Sequence, residues 1–186
     1  MVVIDLDDVR RLGNEKADEN IAFRRHLAAH HVREAAFQIL ATEIQREVDC
    51  TACANCCRHS IVSVNAAELE TIAAHLSVSP ETARAVYMEP DPEAPVLRRL
   101  RSTLDGCIFL DTENFCIIYE ARPNTCRDFP HINVGHHSLG ARPASQARWA
   151  ALCPIIYNAL ETYKRITGFH KRSSQTRQLT SGITGE

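Results

Sequence analysis

Eight cysteines carry the chemistry legible in this chain. They stand at Cys50, Cys53, Cys56, Cys57, Cys107, Cys116, Cys126 and Cys153, and the first four fall within eight residues as C-T-A-C-A-N-C-C. Two residues between thiolates let one tight turn present both sulfurs to one ion, at about 2.3 Å for zinc. Isolated structural cysteines do not gather at such spacing, so the cluster points to a metal site, with a bare dithiol redox pair as the alternative. Disulfides are a weaker reading. The acidic N-terminus MVVIDLDDVRR is no export signal, and 186 residues can build a core without cross-links.

Local geometry limits how these thiols can share a metal. Were residues 50–57 one helix, Cys50, Cys53 and Cys57 would share a face and Cys56 would lie about 60° off it. Adjacent side chains diverge, so Cys56 and Cys57 are poorly placed to grip one ion together. The expectation is eight thiols divided between two ions, or a polynuclear cluster. Softness does not choose the metal, since thiolates suit zinc, iron–sulfur clusters and Cu(I) alike.

Downstream stand Gly106-Cys107-Ile108-Phe109-Leu110-Asp111, then Cys116-Ile117-Ile118-Tyr119-Glu120, then Arg122-Pro123-Asn124-Thr125-Cys126-Arg127-Asp128-Phe129-Pro130. With the C-x2-C-x2-C-C block, this order resembles the CxxCxxCC zinc- or iron-chelating family, the YkgJ-type cysteine-cluster proteins. The resemblance spans about residues 50–153. It implies chelation of zinc or iron, including an iron–sulfur cluster, by all eight cysteines. Some members carry the cluster beside protein-lysine N-methylation. An iron–sulfur protein or a component of a protein-modifying enzyme is therefore one alternative, and a structural zinc module for protein contacts is another. No substrate or reaction is named by the residues, and the enzyme question stays open.

Other polar groups flank the thiols. Arg58, Arg122 and Arg127 would offset thiolate charge and donate to sulfur, or else Arg122 and Arg127 pair with Glu120 and Asp128 at the surface. His59, His131, His136 and His137 could replace a cysteine, though loop histidines ordinarily find other partners. His26, His30 and Glu34 form an i, i+4, i+8 row, with His31 beside it, and the row reads as a solvated polar face.

The elements that must position these residues point to a mostly helical α+β fold. A long N-terminal helix, from about Asn14 to Val48 after an irregular lead, packs on a small cysteine-rich domain with a short β-hairpin and metal-binding knuckles. Ile21, Ala28, Val32, Ala35 and Ile39 make one stripe of that helix; Phe23, Leu27, Phe37 and Ile44 lie off it. The helix is thus buried on two sides, bent, or a meeting surface for a second copy, so a dimer through it is a further expectation. Asn65-Ala-Ala-Glu68 is a capping box opening a helix with Leu69, Ile72, Ala73 and Leu76 buried. Ser79-Pro80 opens another. Asp91 to Pro95 reads as a loop, and residues 96–104 read ambiguously, with a helical leaning. The runs from Cys107 and to Tyr119 form a hairpin around Thr112-Glu113-Asn114. Pro123 opens a one-turn helix with Cys126, His131 to Ser145 is a loop, and Pro154 starts a last helix burying Ile155, Leu160 and Ile166. The expected division is 1–49 helical segment, 50–170 metal-binding domain and 171–186 tail.

Composition narrows the classes further. A formal charge of −2 gives no electrostatic footprint for nucleic acid or an anionic membrane. No two of the seven glycines stand in a G-x-G arrangement, so no phosphate-cradling loop is present. No apolar run approaches the roughly 18 residues of a membrane span. The expected setting is cytoplasmic, with a metal ion as ligand and an unidentified protein as the other partner.

Overall fold

The computed structural model of the chain describes residues 2–30, 34–92, 98–130 and 149–170. It is mostly helical, with small antiparallel sheets. The N-terminal stretch is not one long helix. Helix α1 (Leu6–Glu15) already begins in the expected lead, because Asp5 caps it by accepting from the Asp7 and Asp8 amides. It closes at Lys16, and α2 (Ala17–His30) and α3 (Glu34–Glu47) follow.

Of the stripe, Ile21 and Ile39 are described, and neither is buried. Phe23, Phe37, Ala41, Ile44 and Val48 form the core, whereas Ile21 and Ile39 are exposed. The aromatic rings decide this. Phe23 meets Tyr163 edge-on at 6.0 Å and Phe37 meets it at 5.2 Å, so both helices turn their large rings toward the last helix, α9 (Pro154–Ile166). Burying each such ring contributes about 1.5–3 kcal/mol. Helix α9 starts at its proline and buries Ile155 and Leu160 as expected, but Ile166, in its last turn, is 64% exposed. At the rim of this core Lys164, nearly buried, binds Glu19 at 2.7 Å and Glu161 at 2.6 Å. Gly13 lets α1 approach closely: a Cβ there would lie 2.4 Å from Ala151 Cα.

The second core is assembled from shorter pieces. Between the cores run two single-turn helices, α4 (Cys50–Cys53) and α5 (Asn55–His59), then strand β1 (Ser63–Val64). Helix α6 (Ala66–His75) carries the expected capping box at Asn65 and Glu68, and Ser79 caps α7 (Pro80–Tyr87). Strand β2 (Met88–Pro90) follows, and residues 98–103 are strands rather than helix: β3 (Arg98–Leu100) and β4 (Ser102–Thr103). Strand β3 lies between β1 and β2, with Arg99 opposite both Ser63 and Glu89, and this pairing overrides the local helical leaning. Strand β5 (Gly106–Cys107) pairs with β4, Ser102 facing Cys107. A 3-10 turn (Tyr119–Ala121) and α8 (Asn124–Asp128) complete the unit. Leu69, Ile72, Leu100, Phe109 and Ile118 are buried at its centre.

The loop from His131 to Ser145, with His131, His136 and His137, lies outside the described residues. So do residues 93–97, the 171–186 tail, His31 and Val32, and the side chains of Ala28, His30, Glu34 and Ala35.

Candidate metal centre

The CxxCxxCC block is two turns of helix broken at one residue. Asp49 caps α4 by accepting from Thr51 and Ala52. Ala54 then adopts a left-handed conformation, φ 44°, ending α4 and starting α5. A left-handed residue other than glycine costs roughly 1–2 kcal/mol, and here it re-aims Cys56 and Cys57 relative to Cys50 and Cys53. The continuous helix considered from spacing is therefore absent. Successive positions in α5 diverge by about 100°, yet the Cys56 and Cys57 thiols still meet in a hydrogen bond.

One side meets the helical core. Asn55 is buried, and its Nδ2 donates to the Leu152 carbonyl at 2.7 Å, holding the residue before Cys153 against the block. Cys153 is itself buried in that core. Burial pushes its thiol up to about 12, and Cys50 and Cys53 add to the rise, while the Ile155 and Ile156 amides at the start of α9 oppose it. The thiol of Cys56 is pushed up by its hydrogen bond with Cys57 and by burial, and also by Cys153 and Cys50. Cys50 lies at the surface, yet the protein around its sulfur, then Cys53 and Asp49, raise its thiol.

The other side meets the β-rich unit. Gly106, at φ 125°, sits so close to α5 that a Cβ would lie 2.7 Å from Arg58 Cα and 3.0 Å from the Cys57 carbonyl. That contact seats β5, and with it Cys107, on α5. Leu110 bridges Cys116 in antiparallel fashion, Ile117 N donates to Phe109 O at 2.9 Å, and Asp111 Oδ1 accepts from Glu113 and Phe115. The expected hairpin is thus reduced to one bridge, with the Cys107 strand paired to β4 instead. Cys126 sits on α8, entered from Pro123 as expected. Glu68 ties α8 down: one carboxylate oxygen accepts from Asn65 N in the capping box, the other from Asn124 N at 2.9 Å.

The thiols of this second group sense one another. Burial pushes Cys126 up to about 12, reinforced by Cys107, Cys57 and Cys116. Burial likewise raises Cys107, to about 11, and Cys116; Cys57 adds to both, and the Phe109 and Ile118 amides oppose it. Cys57 alone is held below the usual thiol range, by its hydrogen bond from Cys56 and then by Arg122 and Arg58.

The flanking cations divide. Arg122 lies over the Tyr119 ring at 3.5 Å, its Nε donates to Tyr119 O at 2.8 Å, and its charge favours the thiolates of Cys50, Cys57, Cys116 and Cys126. Arg58 donates to the Cys53 carbonyl and to Asn114. Arg127 donates to the Arg122 carbonyl at 3.0 Å. None of these contacts is the surface pairing with Glu120 or Asp128. His59 Nδ1 lies 3.0 Å from the Asn55 carbonyl, an i−4 partner, and His26 packs 5.2 Å from the Phe169 ring. Asn55, Glu68 and the tight seat of Gly106 carried no positional signal as site-builders in the sequence, because their partners lie far along the chain.

As placed, no three His, Cys, Asp or Glu side chains among the described residues stand in ligating positions. The donor set itself fits a thiophilic ion: eight free cysteines, seven of them with thiols shifted in part by a neighbouring cysteine.

Residues 49–153, more than half of the chain, match the family CxxCxxCC, described as a "putative zinc- or iron-chelating domain". The chain belongs to the CxxCxxCC family. Neither a curated protein nor a solved structure matches it. The family match runs from Asp49, just before Cys50, to Cys153, just before α9, and so takes in all eight cysteines. Among the described residues no helix is long and apolar enough to cross a membrane.

Proposed function

We propose that this chain is a metal-binding protein that holds zinc or iron through Cys50, Cys53, Cys56, Cys57, Cys107, Cys116, Cys126 and Cys153. The observation that carries the reading is the packing of the Cys107 and Cys153 segments against α5, with Cys116 and Cys126 in the same unit as Cys107. Asn55 brings in the Cys153 segment, Gly106 seats Cys107, the Leu110–Cys116 bridge returns Cys116, and Glu68 anchors the helix of Cys126. Such convergence of free thiols in a zinc- or iron-chelating family supports thiolate ligation. When bound, the metal supplies a fixed positive centre that takes the place of the thiol protons.

Arg122 and Arg58 support the same reading. Four thiolates on a divalent ion leave a formal charge near −2, and two guanidiniums adjoining Cys57 offset it. The test is elemental analysis of protein purified without oxygen. Zinc in colourless protein, or iron with labile sulfide in brown protein, is the expected result. Protein that carries neither metal, and takes up neither when reconstituted, would overturn the proposal.

A further inference from the structure

Resting on that reading, we propose that Glu68 is a positioning residue of the metal centre: its carboxylate is shared between the first turns of α6 and α8, and through α8 it holds Cys126 in place for the metal. Glu68 binds no metal in this role; it fixes the segment that does.

Glu68 does more than its capping box needs. Within the box, Asn65 Oδ1 accepts from Glu68 N at 3.0 Å, and Glu68 Oε2 accepts from Asn65 N at 2.9 Å. One carboxylate oxygen completes that exchange. The other, Oε1, accepts from Asn124 N at 2.9 Å, 56 residues further along the chain. Asn124 opens α8, two positions before Cys126. Helix α6 aims the carboxylate: Leu69, Ile72 and Ala73 are buried and fix its rotation, and it packs beside the Tyr119–Ala121 turn that leads into α8.

Helix α8 needs such a tether. It is five residues long, too short to form by itself, and Pro123 at its N-cap offers no side-chain acceptor. The amides of Cys126 and Arg127 return to the Pro123 carbonyl, and the Arg127 side chain reaches the Arg122 carbonyl, all within one stretch of chain. Among the described residues, Glu68 is the only side chain from another helix or strand that hydrogen-bonds α8. Cys126 itself is only partly buried against the second core. Without the tether a metal would have to order this turn as it binds, and that loss of freedom weakens its hold.

The test compares Glu68→Ala with Asn65→Ala. Both break the capping box of α6, but only the first frees α8. In metal-free protein the alkylation rate of Cys126, located by mass spectrometry, should rise about fivefold in Glu68→Ala, the scale of one hydrogen bond. Cys107, seated by Gly106, should not change, and Asn65→Ala should leave Cys126 near the wild-type rate. In protein reconstituted with zinc, or with iron where zinc is refused, release to a chelator should quicken by a similar factor in Glu68→Ala and not in Asn65→Ala. Asn124→Pro removes the same amide from the α8 side, at a first-turn position that tolerates proline. It should reproduce both effects, and it decides should Glu68→Ala not fold. Equal effects of the Glu68 and Asn65 variants, a Cys126 indifferent to both, or metal release unchanged by the loss of the tether would overturn the proposal while leaving chelation standing. Wild-type protein that takes up neither zinc nor iron would overturn the reading beneath it, whatever Cys126 does.

Discussion

The two cores of this molecule are built on different principles. The helical core joins α2, α3 and α9 through Phe23, Phe37, Ile44, Ile155, Leu160 and Tyr163, on helices of 13 or 14 residues. The cysteine-bearing unit has strands of two or three residues and an exposed surface that includes Ile61, Leu104, Phe115 and Ile117. Long helices propagate their own hydrogen bonds and need only an apolar face to dock. Two-residue strands gain almost nothing locally and must be held from outside. In the second unit, which has a buried core of its own, the short pieces are held by single contacts such as Gly106 on α5 and Glu68 on α8. The lesson is that one half stands on long helices and the other on a small core with a few single contacts, to which the proposed ligation would add.

Stripping the metal should break the comparison most visibly. Structural zinc in small peptides contributes an apparent 10–16 kcal/mol or so, and the loss should fall mainly on the second unit. Denaturant unfolding should show one transition when loaded and two when stripped, with the first involving β3 to α8. Phe23→Ala attacks the other half, leaving a cavity under Tyr163 and Phe169. It should cost about 3–5 kcal/mol in the helical transition and leave the metal content unchanged.

Gly106→Ala forces a Cβ into α5 at a positive φ, and should destabilise the second unit by about 1–3 kcal/mol. Faster metal loss on chelator challenge would report it, with the helical transition unmoved. Arg122→Gln removes a charge, together with the contacts to the Tyr119 ring and carbonyl. Its guanidinium favours the thiolates of Cys50, Cys57, Cys116 and Cys126, so removing it raises their pKa and helps protons displace the metal. The midpoint of metal release on acidification should move up, by about half a pH unit for a contact worth under 1 kcal/mol. A midpoint that stays or falls would contradict the electrostatic role. Arg127→Gln should do least, under about 0.5 kcal/mol, because its group meets the Arg122 carbonyl rather than sulfur; chelator resistance should match wild type.

What could be read beforehand follows from the same contrast. The capping box at Asn65 and Glu68, the Ser79-Pro80 start, the Pro123 turn and the Pro154 start were all legible, because each is a local hydrogen-bond or backbone preference. The strands at 98–103 were not, since Arg98, Arg99, Ser102 and Thr103 carry no alternation and pair only because β1, β2 and β5 are already there. The stripe through Ile21 and Ile39 misled for a related reason: which helix face is buried depends on where Tyr163 lies, more than 120 residues on. At the metal centre the cysteines themselves were visible by type and spacing. The left-handed turn at Ala54 was not, as alanine carries no signal for it, and neither was Asn55, whose partner is the distant Leu152 carbonyl.

The central claim is that these eight sulfurs hold metal, and counting reactive thiols tests it most directly. Native protein, purified without oxygen and still loaded, should expose none of the eight to an alkylating agent, and all eight after complete chelation and unfolding. Eight thiols that react freely in the native, undisturbed protein would contradict the account.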